Sequence, residues 1–183
     1  MSKTFVLKIV TGLSVLAILS AFYALKTEDV AAQTKKNKTA AKSKSLCQAG
    51  EQTIWSCAAT TKNKLASVCA SKDLAEDKGY VQYRFGSPGN VELEFPKDRK
   101  DSPQKFKYSR YTRPLVTMLT LKFENEGVVY EIHDDDNSEE KPPVRAASID
   151  ISDGAKESSV VCKLPVSGSL MKLEGIVPRD EEN

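Results

Sequence analysis

GYVQYRFGSPGNVELEFP, residues 79–96, alternates apolar and polar side chains on both sides of a turn-forming centre. Val81, Tyr83 and Phe85 alternate with Gln82 and Arg84, and Val91, Leu93 and Phe95 alternate with Glu92 and Glu94. A period of two gives each segment one apolar face and one polar face turned to water, the signature of half-buried strands. Gly86, Pro88, Gly89 and Asn90 supply the dihedrals of a chain reversal, so the stretch predicts a β-hairpin.

The same period extends outward in both directions. Upstream, Thr53–Cys57 and Leu65–Ala70 read as a first hairpin around Lys62-Asn63, followed by a polar loop or single helical turn at Ser71–Lys78. Downstream of the polar connection 97–103, Phe106 and Tyr108 share a face opposite Lys105, Lys107 and Ser109. Leu115, Thr117, Leu119, Leu121 and Phe123 form a long strand. Its other face, Val116, Met118 and Thr120, is also fairly apolar, which predicts a central strand covered on both sides. Val128, Tyr130 and Ile132 return the chain, and Asp134–Val144 reads as a long acidic, proline-containing loop. Ala147, Ile149 and Ile151, then Ser158–Leu164, supply the last strands, with one short helical turn at Ser169–Leu173. Eight or nine short strands joined mainly by hairpin turns imply an all-β antiparallel meander closing as a small barrel or a two-sheet sandwich.

Residues 1–32 have the form of an export signal: Lys3 and Lys8 precede an apolar run from Ile9 to Leu25, and Val30-Ala31-Ala32 offers a cleavage site. Retention as an N-terminal anchor, the one route to membrane association, is the alternative. Residues 33–45 read as a Lys-rich flexible linker and residues 46–183 as one β domain. A formal net charge of +2 offers no global field for nucleic acid. All four cysteines, Cys47, Cys57, Cys69 and Cys162, follow the signal; an even number in an exported chain implies two disulfides with three possible pairings. Cys57 and Cys69 fall on adjacent strands of the first hairpin, which permits a cross-strand bridge. The preferred pairing joins Cys47 to Cys57 and Cys69 to Cys162, tying the first strands to the last. No close cysteine pair of zinc-site spacing occurs.

SVCASKDL, GYVQYRFGSPGNVELEFP, FKYSRYTRPLVTMLTLKFEN, and Cys162 followed by SGSLMKLEG, together resemble a family of small exported proteins of Gram-negative bacteria. The resemblance spans roughly residues 46–178. It implies a periplasmic setting and a β-rich fold, and it carries over no catalytic residue. Exported β-barrel lysozyme inhibitors are similar in size and disulfide use, an analogy of architecture alone.

Sites of chemistry are few. His133, the single histidine, lies beside Asp134 with no nucleophile signature nearby and reads as a surface or rim residue. Asp134–Glu140 concentrates carboxylates without EF-hand spacing and reads as a solvated loop. Glu92 and Glu94 share a strand face, which alternation explains without a glycosidase pair. The most suggestive surface is Lys97–Arg113, where Lys and Arg interleave with Phe106, Tyr108 and Tyr111. Its basic side chains either pair with the acidic residues of 124–140 or form an anion-binding face. The candidate binding residues are Arg84, Tyr108, Arg110, Tyr111 and Arg113. The expected function is a non-enzymatic periplasmic or secreted binding or inhibitor module, needing no cofactor or metal, that engages an acidic protein or an anionic envelope polymer. A cell-wall-directed hydrolase using carboxylates assembled by the fold is the alternative.

Overall fold

A computed structural model describes residues 44–60 and 63–181; the expected export signal and residues 33–43 of the linker lie outside the described residues. Nine strands follow in chain order among the described residues: β1 (Glu51–Ala59), β2 (Leu65–Ser71), β3 (Val81–Ser87), β4 (Asn90–Phe95), β5 (Lys107–Arg113), β6 (Val116–Asn125), β7 (Val128–Asn137), β8 (Val144–Ser152) and β9 (Glu157–Gly168). They form one antiparallel sheet in the order β4-β3-β2-β1-β9-β8-β7-β6-β5. Two meanders are thus joined where β9 returns beside β1. The all-β expectation is borne out, as a single curled sheet that stops at a half-barrel.

Phe123 accounts for the curl. Its ring stacks between Phe95 and Tyr130, with centroids 4.6 and 4.8 Å away, and meets Phe106 edge-on at 5.5 Å. Tyr83 approaches the same ring at 5.1 Å. These rings come from β3 and β4 at one end of the strand order and from β6, β7 and the segment before β5 at the other. Offset and edge-on aromatic pairs contribute beyond their burial, so the apolar faces close on each other across the concave side. The hairpin that decided the reading turns at Pro88-Gly89. Gly86 holds φ of 152° where the β3–β4 register slips, and a Cβ there would collide with the backbone of Asn90.

β9 serves both halves: Glu157–Val161 pairs with β8, and Cys162–Gly168 with β1. Pro165, with no N–H to give, falls where the β1 pairing is irregular. A 3-10 turn at Leu170–Leu173 follows, as expected, and Ser169 caps it by accepting from the Met171 N–H. Leu170 and Leu173 are fully buried in the core.

Three expectations are corrected. β6 lies next to the edge strand β5, and among the described residues its second face is covered only in part: Leu119, Leu121 and Phe123 are buried on one side, while on the other Val116 is buried and Met118 is 46% exposed. Asp134–Asn137 is strand, not loop, because β7 continues its pairing with β6 and β8 through these residues. Asp134 faces inward and its buried carboxylate accepts the Leu170 N–H, which explains an aspartate on an apolar face. The disulfides are Cys47–Cys69 and Cys57–Cys162. Cys57 stands opposite Ala66, not Cys69, and Ala59 stands opposite Cys162 once β9 lies beside β1. Cys162 does tie the last strand to the first hairpin, but through Cys57.

The bridges close stretches of 22 and 105 residues. In the chain-entropy view these contribute about 3 and about 5 kcal/mol. Denaturant unfolding should therefore show Cys57→Ala/Cys162→Ala to be the more destabilised double variant, by about 1–2 kcal/mol relative to Cys47→Ala/Cys69→Ala. The opposite order would contradict this pairing.

Candidate binding face

A curled sheet hides its concave side and leaves a convex side that must be covered or used. Over β1–β3 it is covered. The segment ahead of β1 lies on this face as a strap, fixed by the Cys47–Cys69 bridge. Further bonds run from the Leu46 N–H to Ser67 Oγ at 2.9 Å and from the Ser56 hydroxyl to the Lys44 carbonyl at 3.0 Å. The register sets Ser56, Ser67, Arg84 and Glu94 in one row beneath or beside it.

Arg84, expected to face water, is fully buried. Its guanidinium forks onto Glu51 at 2.6 and 2.9 Å, and its Nε donates to Glu94 at 2.7 Å. It donates also to Gln82 Oε1 at 2.7 Å and to the Leu46 carbonyl at 3.4 Å. Glu51 accepts in addition from the Tyr80 hydroxyl, and Arg99 lies 4.4 Å over the Tyr80 ring. Burial alone pushes the Glu51 carboxyl up, but the hydrogen bonds from Arg84, the Gln48 backbone and Tyr80 outweigh it and bring it down to about 2. The Arg84 cluster is structural: every arm of the fork is already engaged by the protein itself.

Among the described residues no strap covers the convex side over β5–β8. Cross-strand register sets Tyr111, Met118, Asp135 and Ala146 in one row, and Arg113, Val116, Asn137 and Val144 in the next. Tyr111 is 55% exposed and Val144 50%. These side chains bound a groove of about 440 Å³ along β7, with Val116 and Met118 on one flank and Val144 and Ala146 on the other. Asp135 lines it; its Oδ1 is buried and has no hydrogen-bond partner among the described residues. Burial pushes that carboxyl up, against opposing pulls from His133 and the Leu119 backbone. Arg113, the cation of the lining, is turned to Glu139 in an ion pair.

Further along the same face stands His133, in mid-strand and not at the strand end its sequence position suggested. Its Nδ1 lies 3.3 Å from Thr120 Oγ1, and its Nε2 lies 3.4 Å from Asp150. The acidic run 134–136 is divided by alternation. Asp135 faces the groove, while Arg145 reaches Asp134 at 3.9 Å and Asp136 at 3.3 Å.

The five expected binding residues do not converge. Arg84 is buried on β3, and Tyr108 is buried on the concave side of β5. Arg110 points the same way as Tyr108 and pairs with Glu174 at 2.6 Å. Tyr111 and Arg113 point the other way, into the convex face. A period of two on β5 makes this division unavoidable. Met118, Asp135 and Val144 were missed; the signal for Met118 was present in the apolar second face of β6 and was read as a covered surface. No family model, curated protein or solved structure matches the chain.

Glu51 gives a pH test. Its folded value lies below the ordinary 4.5, so its contribution is complete above that value and is lost as pH falls toward about 2. Stability should drop by about 3 kcal/mol across this window. Glu51→Gln should lower neutral-pH stability by about 3 kcal/mol and flatten that acid limb. An unchanged acid limb in the variant would show that Glu51 does not carry it.

Proposed function

We propose that the chain is a non-enzymatic binding module of the periplasm or of a secreted setting, which engages a protein partner across the convex face of β5–β8. The observation that carries this reading is the exposure of Tyr111 and Met118 in one cross-strand row and of Val144 in the next, on the half of the sheet that has no strap among the described residues. Large apolar side chains gathered on one open face mark interaction surfaces, in contrast to singly scattered ones. Leu115 adds to them: it sits at the β5–β6 turn, 65% exposed, with a left-handed φ of 65° that a leucine seldom adopts. An aromatic ring and a methionine supply contact area that adapts to a partner at low entropic cost.

The cysteines support the setting. Two disulfides and no free thiol among the described residues point to an oxidising compartment. Among the described residues no helix is long and apolar enough to cross a membrane. The acidic partner expected from the arginines draws no support from this arrangement, since Arg84 is buried and Arg110 and Arg113 are paired within the chain.

Tyr111→Ser/Met118→Ser should fold with a thermal midpoint close to that of the wild type and lose capture of the partner from an envelope extract by at least ten-fold. Arg110→Ala, on the other side of β5, should capture normally. Undiminished capture by the double variant, with partners identified by mass spectrometry, would remove this face from the reading.

A further inference from the structure

We infer that the groove along β7 receives a lysine side chain of the docked partner, its ammonium on Asp135 and its stem between β6 and β8. The inference rests on the binding-face reading and names the chemistry that face selects. Three features of the groove specify it.

The first is shape. From Asn137 to Asp135 the groove follows two residues of strand, about 7 Å, flanked by Val116 and Met118 on one side and Val144 and Ala146 on the other. An unbranched aliphatic stem fits between such walls, and lysine is the side chain that buries its stem while keeping a charged tip. The second is the orphan acceptor. Asp135 Oδ1 is buried without a hydrogen-bond partner, and an unsatisfied buried acceptor gains most from a donor delivered to it. An ammonium supplies both donor and charge; a hydroxyl supplies only the first. The third is the surrounding field. The lining of the groove carries two carboxylates, Asp135 and Asp136, against the one cation Arg113. Arg113 does not oppose this, being neutralised by Glu139. Tyr111, in the row of Asp135 and two strands away, offers an exposed ring over which an approaching cation is favoured.

An apolar partner side chain would fill the walls and leave Asp135 Oδ1 without a donor. A compact ammonium on an unbranched stem meets both demands at once.

The test uses the isotopically labelled full chain and three small probes: lysine blocked at both backbone ends, the same compound acetylated on Nζ, and blocked norleucine. The methyl resonance of Met118 is followed during titration. Blocked lysine should shift it saturably, and the acetylated and norleucine probes should bind at least ten-fold more weakly. Asp135→Asn should bring lysine to the level of norleucine, its dispersed spectrum showing that it folds. Equal binding of lysine and acetyl-lysine, indifference to Asp135→Asn, or no saturable shift would each overturn the assignment. If partner capture still disappears in Tyr111→Ser/Met118→Ser, the face stands and only its lysine chemistry is lost; if capture also persists there, both readings fall.

Discussion

Arg84 is the constraint on which the two-sided character of this sheet depends. A guanidinium on the convex side of β3 cannot remain buried unless its charge and donors are met. Meeting them recruits Glu51 from the start of β1, Glu94 from the edge strand and the Leu46 carbonyl from the strap. The strap is thus drawn over β1–β3 by electrostatics and held there covalently by Cys47–Cys69. Nothing comparable exists over β5–β8 among the described residues, where the corresponding positions are Tyr111, Met118 and Val144. One half of the convex side is consumed in holding the fold, and the other stays open among the described residues.

On the concave side the logic is that of aromatic packing. Phe123 joins rings from both ends of the strand order, which lets a nine-stranded sheet behave as a single core without closing its last seam. The tail completes that core through Leu170 and Leu173, with Asp134 accepting the N–H that begins the turn. A buried aspartate at this point therefore has a place in the architecture.

Strand identity was legible because alternation is local: each residue's face follows from its neighbours two positions away. Hence the hairpin at 79–96, the pairing partners of β6 to β8 and the short turn after Ser169 could be read from the chain. What covers a face is not local. Gln82 and Arg84 alternate as water-facing residues do, yet a strap from about 35 residues upstream buries them. Met118 alternates as a covered residue does, yet among the described residues no layer lies over it. The disulfide pairing failed for the same reason, since the adjacency of β9 and β1 is a property of the closed order and not of either strand. Of the candidate site, Tyr111 and Arg113 were visible as residue types in a basic–aromatic stretch. Their separation from Tyr108 and Arg110 followed from the period already in hand.

The asymmetry of the convex side can be measured directly by hydroxyl-radical footprinting of the full chain with its disulfides intact. Met118 and Tyr111 should oxidise at rates close to those of exposed model residues, while Tyr83 and Trp55, both buried in the core, should be protected at least ten-fold. Protection of Met118 and Tyr111 equal to that of Tyr83 in the free protein would contradict an open face on β5–β8, and with it the binding role proposed for that face.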